Sequence, residues 1–124
     1  MSNKIKVVLV EPHKPAREAE IFDSLSSLQQ TVDGYIEITY PFDDNAIVIG
    51  NEEAKLEGLD GTARINGQIY CGNLIIAGDD GEGGLVSLTD EQVKTYLEMF
   101  AEPEEISPDE IEDDLNFGFQ IFNW

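Results

Sequence analysis

The first apolar run, Lys4 to Val10, is rich in β-branched residues and unbroken from Val7 to Val10, and Glu11-Pro12 closes it. An uninterrupted run of this length predicts a strand buried on both faces. His13 to Arg17, with prolines at 12 and 15, predicts a turn, and Ala16 to Phe22 alternates loosely enough to pair back as a second strand. Asp23 or Ser24 is the cap of a helix over 24–33, because either side chain accepts from the free N–H groups of a first turn. Leu25, Leu28 and Val32 recur at helical spacing, and Gly34 falls where a C-terminal cap is expected. Tyr35 to Tyr40 alternates clearly, with Tyr35, Glu37 and Thr39 on one face and Ile36, Ile38 and Tyr40 on the other, and Pro41 ends it.

Ala46 to Ile49 predicts a further apolar strand, and Asn51 to Leu59 a short helical turn around Glu52, Glu53 and Ala54. Asn66-Gly67 marks a hairpin between 62–65 and 68–70, since both central residues of a type I′ turn need positive φ. Asn73 to Ala77 is apolar again. Gly78 to Gly84 holds four glycines and three acids, and predicts a loop or hairpin tip. Thr89 opens a helix over 89–101: Gln92 completes a capping box, Asp90 and Glu91 suit the helix dipole, and Val93, Tyr96, Leu97 and Phe100 form one apolar stripe. The sum is an α+β domain over 1–101, a small, mostly antiparallel sheet with two helices.

From Glu102 the pattern changes. Residues 102–114 carry eight acids and no base. Ser107-Pro108-Asp109-Glu110 predicts a short helix through Leu115, with Ser107 as cap and Pro108 in the first turn. Leu115, Phe117, Phe119 and Ile121 then alternate like one face of a strand. Two readings of this acidic, aromatic-ended tail over 102–124 stand side by side. In one, 102–114 is a solvated linker and 115–124 a last strand on the core. In the other, the tail is a recognition segment. Its acids speed encounter with a basic partner, and Phe117, Phe119, Phe122 and Trp124 anchor in that partner's pockets.

Charge changes the picture most. Twenty-six acidic residues stand against seven basic ones, a formal net charge of -19 on 124 residues. Small soluble domains carry roughly 2 to 8 in magnitude. Such an excess surrounds the molecule with a negative potential. Direct nucleic-acid binding is excluded, because it needs clustered Lys and Arg. The 41% hydrophobic content is that of a folded chain. No apolar run reaches the ~18 residues of a membrane helix. The start reads as a strand rather than a secretory leader, and the expected location is the cytoplasm. An oligomer is compatible with the sequence.

Little here points to catalysis. The lone His13, set between two prolines, reads as a surface turn residue rather than a general base, which needs a positioned partner. Cys71, the only cysteine, sits in an apolar stretch and reads as a small buried hydrophobe. Zinc ligands at characteristic spacing are absent. Asp43-Asp44-Asn45 and Asp79-Asp80-Gly81-Glu82 resemble cation loops only in charge, because neither has alternating acids and a final bidentate Glu; solvated loop charge is the better reading. A carboxylate pair for glycoside hydrolysis has no specific signal among so many acids. The glycines near Gly78 lack the Lys and helix of a phosphate loop. No metal, cofactor or catalytic residue is assigned.

Lys6-Val-Val-Leu-Val-Glu-Pro12, the segment 28–42 with its Gly-Tyr-Ile-Glu block, and Asn51-Glu-Glu-Ala-Lys-Leu-Glu-Gly-Leu59 resemble a family of small proteins of unknown function. They are carried by phages, plasmids and conjugative elements, mainly of Gram-positive bacteria. Ile75-Ile-Ala-Gly78 and Ser87 to Gln92 fit the same pattern, so the likeness covers roughly 5–100 and leaves the tail outside. The resemblance implies a mobile-element protein and raises the expectation of a host-defence inhibitor, including an anti-CRISPR protein. It carries no catalytic residue across.

The expected function is therefore a non-catalytic inhibitor that mimics nucleic acid. Its partner is a basic nucleic-acid-binding protein, either a CRISPR effector such as Cas9 with its cationic channel or a restriction enzyme. Carboxylates replace phosphates on Arg. The partner-binding acids are Glu102, Glu104, Glu105, Asp109, Glu110, Glu112, Asp113 and Asp114, with Asp79, Asp80 and Glu82 second. A regulatory scaffold that uses the sheet edge or the tail is one alternative. A binder of a signal nucleotide, with Lys55, Arg64 and Arg17 as its only evident cations, is the other.

Overall fold

The computed structural model describes the backbone of residues 3–122 and the side chains of 3–115. In chain order the elements are β1 (Lys4–Val10), β2 (Arg17–Phe22), α1 (Leu25–Val32), β3 (Ile36–Thr39), β4 (Ala46–Asn51), β5 (Gly61–Ile65), β6 (Gln68–Cys71), β7 (Leu74–Asp79), β8 (Leu85–Val86), α2 (Asp90–Met99) and α3 (Pro108–Phe122). The main sheet runs β2-β1-β7-β4-β3, with β8 beside β7, and β5 pairs β6 in a separate hairpin. Every pairing is antiparallel. The α+β class is as expected, and the short helix expected through Leu115 runs on to Phe122.

The continuous apolar runs become the three central strands, because only a strand covered on both faces can be apolar at successive positions. On one face Ile5, Val7, Leu9, Ile47, Ile49 and Ile75 pack under Leu28 and Val32 of α1. On the other, Val8, Val10, Val48, Leu74 and Ile76 pack under Val93 and Tyr96 of α2, Phe100 at its C-cap, and Ala63 and Ile65 of the hairpin. A third, smaller cluster joins Ala54, Ile69, Cys71 and Ile106.

Local signals decide most ends. Ser24 caps α1 by accepting from the Ser27 N–H, and Thr89 and Gln92 close the expected capping box on α2. Asn66 and Gly67 take φ of 52° and 80°, the left-handed pair that the tight hairpin requires. Three expectations are corrected. The left-handed residue that ends α1 is Asp33, φ 60°, not Gly34. Gly34 is needed for space instead, since a Cβ there would lie 2.6 Å from Asn51 Nδ2. The alternation of Tyr35 to Tyr40 buries less than it implies, because β3 is an edge strand and Ile38 stays 40% exposed.

The third correction is the tail. Residues 115–121 do not form a strand: α3 continues to Phe122. The Ser107 hydroxyl accepts from the Glu110 N–H while Glu110 accepts from the Ser107 N–H, so a second capping box starts this helix. Nucleation is the unfavourable step in helix growth and extension is easy, so a capped start outweighs a weak two-residue alternation downstream.

Candidate partner-binding surface

The segment after α2 is held down before it becomes helical. Ile106 is buried and fits against Gly61, where a Cβ would come within 2.7 Å of its own Cβ. Ile111 packs on the same small cluster. A cleft of about 520 Å³ remains beside α3, walled by Leu59, Ile106, Ile111 and Leu115.

Charge then pins the tail. Arg64 on β5 donates from Nε to Glu104 at 3.0 Å and from Nη2 to Glu110 at 3.3 Å. Lys55 donates to Asp114. His13 reaches Asp60 at 2.9 Å and Glu105 at 2.7 Å. The hydrogen bond with Asp60 and then that with Glu105 raise the His13 pKa above its ordinary value. The Glu110 carboxyl lies below the usual range, chiefly because it accepts from the Ser107 N–H, and Arg64 adds to the effect. The bland reading of His13 as a turn residue is incomplete. It does sit in a turn, with φ 67°, yet it is clamped between two carboxylates.

The predicted acids thus divide. Glu104, Glu105, Glu110 and Asp114 face bases of this same chain. Glu102, Asp109, Glu112 and Asp113 are exposed, and among the described residues none makes an ion pair or hydrogen bond to a base. Asp109, Glu112 and Asp113 stand at helical spacings of three and four, so they share one face of α3. Phe117, Phe119 and Phe122 belong to the α3 backbone, but their side chains lie outside the described residues, as does Trp124 altogether.

The second group is elsewhere. Asp79 ends β7 and Asp80 and Glu82 follow it, whereas Leu59, which lines the tail's cleft, lies against Gly72 just before the start of β7. At about 3.4 Å per residue the strand holds them well apart. Asp80 Oδ1 accepts from the N–H groups of Glu82 (2.7 Å) and Gly84 (2.9 Å), which lowers its pKa. Asp79 accepts from the Gly81 N–H. These two acids shape the hairpin tip, and Glu82 alone projects without a partner in the described residues.

Asp44 also departs from solvated loop charge. It accepts from Tyr96 Oη at 2.7 Å, from Gln92 Nε2 at 3.2 Å and from the Ala46 N–H at 3.0 Å, tying α2 to the start of β4. Burial pushes its pKa up, but these hydrogen bonds outweigh burial and hold it below the usual range. The Tyr96 hydroxyl is pushed well up, by burial and then by Asp44. Cys71 is buried, and desolvation raises its thiol pKa. Among the described residues, no group of three or more His, Cys, Asp or Glu side chains is placed to hold a metal ion. No described helix is long and apolar enough to cross a membrane.

Sequence reasoning missed the anchors Arg64 and Lys55 as parts of the tail's site. No local pattern marks them, because their partners lie 40 to 59 residues away.

This α+β frame defines a class without an assigned activity. Residues 5–101 match the family described as a domain of unknown function, DUF3846, and the chain belongs to it. The match ends where the acidic tail begins. No curated protein and no solved structure matches the chain.

Proposed function

We propose that the chain is a non-catalytic binding protein of a mobile genetic element, working in the bacterial cytoplasm. It sets carboxylates into the cationic cleft of a nucleic-acid-targeting defence protein. The target class is a CRISPR effector such as Cas9, or a restriction enzyme. One observation carries the reading: the inward acids of the tail are paired with Arg64, Lys55 and His13, which hold the tail in place, while Asp109, Glu112 and Asp113 stay unpaired on the outer face of α3 among the described residues. A fixed row of anions loses less entropy on meeting guanidinium groups than a floppy tail would. The net charge of -19 adds steering toward any basic surface. The nucleotide-binding alternative is less well supported, since Lys55, Arg64 and Arg17 each already meet a carboxylate.

The test is binding to purified Cas9 and to restriction enzymes across a salt series. Raising ionic strength from about 0.1 to about 1 M shortens the screening length from ~10 to ~3 Å, and affinity should fall steeply. The triple change Asp109→Asn, Glu112→Gln, Asp113→Asn should weaken binding at low salt by about 0.2–1 kcal/mol per residue, with folding intact. Affinity indifferent to salt and to the triple change would sink the proposal.

A further inference from the structure

The two edges of the main sheet are finished differently. β2 ends one side and carries Arg17, Glu18 and Glu20, charges of the kind that discourage pairing. β3 ends the other, and around it Tyr35 (71% exposed), Ile38 (40%) and Tyr40 (68%) are open to solvent. The direction of its free backbone groups follows from the ladder. The Glu52 N–H donates to the Tyr35 carbonyl, so Tyr35 and Glu52 form a hydrogen-bonded pair. Such pairs alternate along an antiparallel ladder. Glu37 opposite Gly50 and Thr39 opposite Val48 therefore bond to β4, while the N–H and C=O groups of Ile36 and Ile38 point away from it. Among the described residues nothing pairs with them.

The faces flanking this edge also differ. Thr39 bonds Tyr70 of the hairpin, so Thr39 and Glu37 look onto the hairpin side. There a cleft of about 320 Å³ is bordered by Glu37, Glu52 and Glu53, none of which makes an ion pair among the described residues; its one lining cation, Lys55, is already held by Asp114, and Leu115 of α3 closes one side. Ile36 packs toward the α1 side, which Ile38 and Tyr40 share by alternation.

We propose that β3 is a strand-addition site for a partner protein's extended basic segment, which pairs with Ile36 and Ile38 through its backbone. Its Lys or Arg residues alternate with apolar ones. The basic side chains lie over Glu37, Glu52 and Glu53, and the apolar ones over Ile38 and Tyr40. Main-chain bonds supply affinity in this mode and alternate side chains supply specificity. A second copy of the chain is a poor occupant, because it brings a net charge of -19 and the same acids to the same edge. The outward acids Asp109, Glu112 and Asp113 do not line this cleft, so the site stands whether or not those acids meet a defence protein.

The probe is a short fluorescent peptide alternating Lys and Val, followed by anisotropy against the full chain. It should bind saturably and shift the backbone amide resonances of Ile36 and Ile38. Methylating alternate peptide nitrogens, which leaves its charge unchanged, should weaken binding about tenfold. Ile38→Pro removes an outward N–H that the β4 ladder does not use, so it should weaken binding similarly with melting little changed. The Asp109→Asn, Glu112→Gln, Asp113→Asn chain should bind the peptide as before, which separates this site from the proposed function. Equal binding of methylated and unmethylated peptides would reduce the contact to charge alone and overturn the proposal. So would equal binding of a Glu-Val peptide, resonance shifts confined to α3, or dimers of the chain that leave the Lys-Val peptide inert.

Discussion

Asn51 and Asn73 show how much a single amide can settle. Asn51 is 6% exposed and donates to the carbonyls of Val32 and Asp33 while accepting from the Glu53 N–H. Asn73 donates to the carbonyl of Thr31. Together they satisfy carbonyls that the last turn of α1 leaves without helical partners. Gly34 exists in this setting because a side chain would strike Asn51. Asn51→Ala strands two carbonyls and an N–H and should cost about 1–3 kcal/mol, read from urea unfolding. Neither asparagine was legible as a cap, since the helix end it serves lies 18 to 42 residues away in sequence. The caps that were legible, Ser24 and Thr89, serve N–H groups three residues on.

At the scale of the element, α2 and α3 contrast. Both begin with a capping box, and α2 keeps a helical apolar stripe throughout, so its pattern and its outcome agree. In α3 the alternation from Leu115 to Ile121 points to a strand, but no strand forms there, and the capped start carries the helix through. The docking of the tail depends on pH through His13. Its folded pKa is raised by Asp60 and Glu105, so the clamp is fully present below the ordinary value near 6.5 and is lost as pH rises through the folded value. Amide exchange in 102–107 should accelerate as pH climbs through that window, after correction for the intrinsic rate. His13→Gln should flatten the excess. A His13 resonance that titrates at the ordinary value would count against the clamp.

For the whole molecule, the charge is spread over several faces: the outer side of α3, the cleft beside β3, β2, and the hairpin tip after β7. Self-repulsion on this scale opposes the compact state. Added neutral salt should therefore raise the melting temperature between very low ionic strength and about 0.15 M, where the screening length falls to ~8 Å. A melting temperature that drops over this range would mean that the ion pairs of Arg64, Lys55 and His13 outweigh the repulsion.

The strands β1 to β7, the tight hairpin and the helix starts were written in the chain itself, because each rests on contacts within a few residues or on a short period; the short β8 carried no such signal. Buried runs at 7–10, 46–49 and 74–77 announce central strands before any fold is known. Which acids are paired and which face outward was settled only by the tertiary structure. Arg64 meets Glu104 and Glu110, His13 meets Glu105, and Lys55 meets Asp114 across 40 to 92 residues of chain. Composition counts charges without regard to place, whereas Coulomb attraction acts through distances that only packing sets.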